Sequence, residues 1–129
     1  MPHSLLIDTD IGSDVEDAFA LAIALCSSSL SVKGVTTVTG DTLLRAQIAK
    51  KLVKLASQPD IPVVSGYGDI NDMGGWEGKQ ILTDQDGKLP VDHNVEKFMQ
   101  EQIIDNKNKL TIICMGPLTN IFTTYFSFF

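Results

Sequence analysis

Strand-like apolar runs alternating with helical ones predict an α/β protein: a doubly wound, mostly parallel sheet with helices on both faces. Three features carry that expectation. Short apolar or β-branched runs occur at 4–10, 32–39, 61–65 and 110–115; helical periods lie between them; and polar or glycine-containing turns follow the runs, where open α/β sheets bind ligands.

Residues 4–10 read as a buried strand around the contiguous Leu5, Leu6 and Ile7. Residues 17–26 follow as a helix so rich in Ala, Leu and Ile that it needs cover on most sides. Residues 32–39, bounded by Ser27-Ser28-Ser29 and Gly40-Asp41, form a second strand. Asp41 or Thr42 then caps a helix with a core face of Leu44, Ile48, Leu52 and Leu55, with Lys50, Lys51 and Lys54 turned outward. Residues 61–65, between Pro59 and Gly66, give a short third strand. From 66 to 94, many of the glycines gather with Asn71, Asp72, Asp84, Asp86 and Pro90 and no period is sustained. This reads as a long irregular loop, of a length that usually marks function. Val95, Phe98, Met99 and Ile103 restore a helical stripe, residues 110–115 supply a fourth strand, and Pro117 opens a last helix. The chain closes on Phe126-Ser127-Phe128-Phe129, an apolar patch that something must pack against, so residues 1–129 are read as part of a single domain cut short.

The 129 residues suffice for one domain with a real core, and 43% hydrophobic content agrees with a globular protein. A net charge of -6 argues against a nucleic-acid partner, because phosphate binding rests on clustered Lys and Arg. The basic pairs Lys50-Lys51 and Lys107/Lys109 suit solvated surfaces. No secretory pattern opens the sequence and no apolar run reaches the roughly 20 residues of a membrane span, so a cytoplasmic location is expected. Cys26 and Cys114 stand far apart in apolar settings and read as small core residues in a reducing compartment. His3, at a terminus, and His93, ahead of a helix, are assigned no catalytic role.

The most informative stretch is Asp8-Thr9-Asp10-Ile11-Gly12-Ser13-Asp14-Val15-Glu16-Asp17-Ala18, with five acidic side chains in ten residues. Burying so many carboxylates without compensation costs several kcal/mol or more, and a bound cation is the natural remedy. Capping of the following helix accounts for one or two of Asp14, Glu16 and Asp17, but not for a strand-end Asp-x-Asp as well.

Together with Gly34-Val35-Thr36-Thr37-Val38-Thr39-Gly40-Asp41, Ile61-Pro62-Val63-Val64 and Met115-Gly116-Pro117-Leu118-Thr119-Asn120, this stretch resembles the nucleoside hydrolases, the inosine-uridine preferring N-ribohydrolases. The likeness runs along nearly the whole chain, which corresponds to about the first 40% of a typical member. It implies a mostly parallel doubly wound sheet, a tightly bound calcium ion (Ca2+) at the strand ends, and hydrolysis of the N-glycosidic bond of a ribonucleoside to base and ribose. By the resemblance, Asp10 contacts the metal and acts as general base toward water. Asp17 is a bidentate metal ligand, and the Met115 carbonyl is another. Asp8 orders the loop or joins the ribose and metal network from behind. The family places two adjacent aspartates after the glycine. Here the loop is two residues longer, so either Asp14 or Glu16 fills the ribose-contacting position, and Asp14 is preferred. Asp41 stands where many members carry a ribose-contacting Asn. Trp76 occupies a region where relatives often have His, and Asn120 reads as a capping or loop-fixing residue. The family's later half supplies a further metal aspartate, ribose contacts and the histidine that protonates the base.

Two other readings compete. A strand-end Asp-x-Asp also suits a magnesium-dependent phosphohydrolase, which needs a base to meet the phosphate; no Lys or Arg lies near the cluster in sequence, and a residue such as Arg45 would have to fold inward. Alternatively the chain is a catalytically incomplete relative that works by association with another copy or a partner through its apolar C-terminal edge.

Overall fold

Leu5, Leu6 and Ile7 point to alternate faces of the first strand, and that alternation builds both halves of the core. The computed structural model of the chain describes all residues except 70, 72–75, 89, 108 and 129. Strands β1 (His3–Thr9), β2 (Leu30–Thr37), β3 (Val63–Ser65) and β4 (Leu110–Cys114) form one parallel sheet in the order β3-β2-β1-β4. Helices α1 (Val15–Cys26), α2 (Thr42–Leu55), α3 (Val95–Asp105) and α4 (Thr119–Ser127) connect or follow them. Leu5 and Ile7 pack with Leu21, Leu25, Val35, Ile48 and Val53 under α1 and α2. Leu6 packs on the opposite face with Val64, Val95, Phe98 and Met99 under α3. The predicted doubly wound, parallel architecture is therefore present.

The chain runs from β1 outward to β2 and β3, then crosses back to place β4 on the other side of β1. The order reverses between β1 and β4, and in open α/β sheets the crevice at such a reversal, outside the carboxyl ends of the strands, is where ligands bind. Asp8 pairs with Cys114 in register, and the Met115 amide donates to the Asp8 carbonyl at 2.8 Å. The acid loop and the Met115-Gly116 turn thus leave the sheet side by side at that crevice.

Several details differ from expectation. The buried row of α2 is Arg45, Ala46, Ile48, Ala49 and Val53, because the small alanines let the helix lie close to the sheet. Leu44 and Leu52 flank this row, and Leu55 is 68% exposed. Lys51 turns onto the surface of its own domain rather than outward, pairing with Asp86 at 2.6 Å. Helix α1 buries only Asp17, Leu21, Ala24 and Leu25, leaving Val15, Phe19 and Ile23 as an exposed apolar stripe at a spacing of four. Cys26 is exposed at the end of that helix, and Cys114 is half-buried; neither is a core residue. Two short 3-10 helices, Trp76–Ile81 and Asp86–Lys88, interrupt the long 66–94 segment. No helix among the described residues is long and apolar enough to cross a membrane.

Candidate active site

β1 is central, so its end carries Asp8 and Thr9 into a fully buried position, and the chain then turns sharply. Gly12 makes that turn at φ 111°, a backbone region open to glycine and strained for other residues. Its carbonyl accepts from the Gly78 amide at 2.7 Å, so the first 3-10 helix is tied to the acid loop through the main chain.

Within the turn, the Ile11 amide donates to Thr9 Oγ1 at 3.0 Å, and Thr9 Oγ1 donates to Asp17 Oδ2 at 2.5 Å. Thr9 therefore draws Asp17, in the first turn of α1, back toward the strand end. Burial, together with hydrogen-bond contact with the Asp10 carboxyl, pushes the Asp17 carboxyl above the ordinary carboxylate range, although the Thr9 bond opposes the shift. Asp10 also faces Gly116: a Cβ built on that glycine would stand 3.2 Å from Asp10 Cγ.

Asp8 is completely buried. Its Oδ1 accepts from Thr36 Oγ1 at 2.6 Å and from Asn120 Nδ2 at 2.7 Å, while Oδ2 is the one buried side-chain oxygen or nitrogen without a partner among the described residues. Burial raises its pKa, the two hydrogen bonds oppose that, and the nearby Asp10 charge adds to it. Asn120 is equally buried. It also donates to the Thr37 carbonyl at 2.9 Å and accepts from the Tyr67 amide at 2.9 Å, so one side chain joins the ends of β1, β2 and β3. It fixes loops, as expected, rather than capping a helix.

Asp8, Asp10, Asp17 and the Met115-Gly116 turn are thus brought to one place. Asp14 is the N-cap of α1 but makes no side-chain cap bond, and both it and Glu16 are exposed, so helix capping does not absorb either carboxylate. Asp41 does serve as a cap: its Oδ1 accepts from the Leu44 amide at 2.9 Å. It also lines a cavity of about 240 Å³ with Thr42, Ser65 and His93. Gly74 and Gly75 lie outside the described residues, as does the Trp76 side chain.

The oxygens gathered here are hard donors of the sort that magnesium and calcium take. Two carboxylates in mutual contact, and a third with an orphaned oxygen, are a donor set short of positive charge. Such a donor set fits a divalent cation. Among the described residues no group of three or more His, Cys, Asp or Glu side chains is placed to hold a metal by itself.

Sequence reading named Arg45 only as a residue that could turn toward a phosphate, and missed its place beneath the acid loop. It does fold inward, being 1% exposed, but it donates to the carbonyls of Thr39, Asp10 and Ile11 and to the Ser13 hydroxyl. A guanidinium spent on internal acceptors is closed to a phosphate, which removes the support that the phosphohydrolase reading needed. The available signal was its place three residues before Ile48 on a helical core face.

The fold and this site define an α/β protein with an acid-rich crevice at the carboxyl ends of its parallel strands. The sequence profile of the inosine-uridine preferring nucleoside hydrolases matches residues 5–125, and the chain belongs to that family. A protein of Arabidopsis thaliana named "Probable uridine nucleosidase 2" is 34% identical over 130 residues, covering 91% of this chain and 40% of its own length. The pyrimidine-specific ribonucleoside hydrolase RihA of Klebsiella pneumoniae is 26% identical over 134 residues, covering 94% of this chain and 42% of its own. Among solved structures, the plant nucleoside hydrolase PpNRh1 superposes with a TM-score of 0.76 at 27% identity, over 98% of this chain and 43% of its own. The chain therefore spans about 40% of the length of the curated relatives it matches.

Proposed function

We propose that residues 1–129 form the water-activating and cation-binding part of a single ribonucleoside-hydrolase domain. The reaction is hydrolysis of the N-glycosidic bond to free base and ribose. The observation that carries this is the gathering of Asp8, Asp10 and Asp17 at the β1–β4 crevice, where Thr9 draws Asp17 back to the strand end, Asp8 Oδ2 is buried without a partner, and no basic side chain is in ion pair with any of the three among the described residues.

Asp10 is the general base. It takes a proton from a water whose oxygen attacks C1′ as the C–N bond breaks, and the base departs with the bonding pair. The sugar becomes positive in character during that step, and fixed carboxylates stabilise it without having to reorient. Asp10, Asp17 and the Met115 carbonyl would hold Ca2+, with Asp14 or Glu16 toward the ribose hydroxyls, Asp41 at the edge of the ribose and Asp8 ordering the set from beneath. A calcium ion so held would supply positive charge that gathers the carboxylates and acidifies bound water. A neutral nucleoside suits an acid-rich crevice better than a nucleic acid does. A reducing, cytoplasmic setting suits two free thiols.

Ribose release from inosine and uridine by the 129-residue chain with calcium, beside Asp10→Asn, tests the reading. Release lost in the variant supports it, and equal turnover in both removes Asp10 as the base.

A second reading is supported by the far edge. Phe122, Tyr125 and Phe126 on α4 are each about 60% exposed, and their rings pack on one another at centroid distances of 4.5 and 5.4 Å. Such a patch favours association with another copy or a partner. Sedimentation tests it: a concentration-independent monomer would discount it.

A further inference from the structure

Arg45 is a full charge in the core with no carboxylate in ion pair among the described residues. A buried guanidinium is costly unless its N–H groups are satisfied, and here the acceptors come from two separate turns. Nε donates to the Thr39 carbonyl at 2.8 Å. Nη1 donates to the carbonyls of Asp10 and, at 2.9 Å, of Ile11, and both terminal nitrogens donate to Ser13 Oγ at 3.1 Å. Thr39 sits at φ 70°, an uncommon and strained position for a β-branched residue, and its amide donates to the Tyr67 carbonyl at 2.8 Å. One planar fork thus closes the acid loop after β1 onto the turn after β2.

The consequence lies in which way the loop faces. Because the Asp10 and Ile11 carbonyls are turned onto Arg45, the loop's main-chain oxygens are drawn inward, and the Asp10 side chain is left to the Asp17 and Gly116 side. We propose that Arg45 is the positioning residue of this site: its guanidinium fixes the main chain from Asp10 to Ser13, and so sets where the acid-loop carboxylates stand and how tightly they bind a divalent cation. This rests on the reading of those carboxylates as a cation site. Lysine keeps the charge but is a single ammonium, and it does not reproduce a fork that reaches two turns at once.

The test uses the 129-residue chain, Arg45→Lys and Ser13→Ala, with two readouts: terbium ion titration, as a luminescent stand-in for calcium, and amide hydrogen exchange. The Ile11 amide, bonded to Thr9 Oγ1, and the Gly78 amide, bonded to the Gly12 carbonyl, report the loop. Arg45→Lys, still melting cooperatively, is expected to exchange at both amides about tenfold faster and to bind terbium about 10–100-fold more weakly, the usual effect of losing a group that orients metal ligands. Unchanged affinity and unchanged exchange in a folded Arg45→Lys would overturn the proposal. If Arg45→Lys does not fold, Ser13→Ala decides in its place. It removes the one side-chain acceptor of the guanidinium among the described residues, and both readouts must move in the same direction by a smaller factor; no movement overturns the proposal. Failure of the wild-type chain to take up terbium would instead sink the cation reading, and the exchange rates would still decide whether Arg45 positions the loop.

Discussion

Asn120, in the first turn of α4, donates its side-chain amide to Asp8 Oδ1 at 2.7 Å across 112 positions of sequence. The same amide group bonds the Thr37 carbonyl, and its oxygen accepts from the Tyr67 amide. One planar side chain therefore satisfies three buried or half-buried groups at the ends of three strands.

Asn120→Ala leaves all three without that partner. Asp8 Oδ1 keeps Thr36 Oγ1 and the Thr37 carbonyl keeps the Gly66 amide, so only the Tyr67 amide loses its one acceptor among the described residues. An orphaned donor costs about 1–3 kcal/mol, a lost bond about 1 kcal/mol, and overlapping losses do not add fully, so a destabilisation of about 2–4 kcal/mol is expected. Urea denaturation measures it. A loss below about 1 kcal/mol would mean that water replaces the amide with little penalty.

Asp17 is held by Thr9 against the charge of Asp10, and both burial and that charge disfavour its ionised form. Asp17→Asn keeps an oxygen for Thr9 and removes the repulsion. The metal-free chain should gain about 1 kcal/mol, as is common when a site built for function is relieved of strain. Calcium affinity should fall at least about tenfold, because affinity follows the number of charged oxygen ligands. Opposite movements of thermal midpoint and calorimetric affinity are the expected signature. A variant with unaltered affinity would take Asp17 out of the ligand set.

Asp86 offers a pH prediction away from the site. Its Oδ2 accepts from Lys51 Nζ at 2.6 Å and from the Thr83 amide and hydroxyl at 2.7 Å each. The Lys51 bond, then the two Thr83 bonds, hold its carboxyl well below the usual range near 3.8. A folded pKa lower than the unfolded one gives stabilisation that is complete above the unfolded value and is lost as pH falls through the folded one. Residues 83–88 should therefore detach from α2 only in strong acid in the wild type, and at milder acidity in Lys51→Met. Carboxyl NMR titration of Asp86 in both chains checks this; identical titrations would show that Thr83 alone holds the charge.

The fold was legible because its cues are local. Leu5-Leu6-Ile7, the β-branched 32–39 run and the Asp41 cap each declare an element within a few residues. The Asp10–Asp17 contact was legible by resemblance to a family motif. Arg45 and Asn120 were not read as parts of the site, because their meaning depends on which turns the sheet order brings together, and no spacing along the chain encodes a partner 35 or 112 positions away. The α2 face was misread by rotation: alanines at 46 and 49 carry little hydrophobic signal, yet they determine how closely the helix approaches the sheet.

Gly116 tests whether Asp10's position, beyond its charge, matters. A Cβ there would meet Val38 Cγ1 at 2.8 Å and Asp10 at 3.2 Å from Cγ and 3.3 Å from Cβ. Val38 is fully buried in the tight turn after β2, so it has little room to yield, and Asp10 is only half-buried. The 2.8 Å contact with Val38 is relieved by a shift of the Met115-Gly116 turn that carries the new Cβ toward Asp10, so Gly116→Ala should displace the Asp10 side chain by a few tenths of an ångström while leaving its charge in place. Displacements on the order of 1 Å cost roughly a hundredfold in rate when a reacting group is involved, so a smaller one predicts a fall of about tenfold in ribose release. Melting should change by no more than about 1 kcal/mol if Asp10 moves and about 1–3 kcal/mol if Val38 is forced off its rotamer instead. A tenfold loss with near-native melting assigns the effect to Asp10's placement. Full activity with lowered stability would show that Val38, not Asp10, gives way, and that Gly116 serves packing alone.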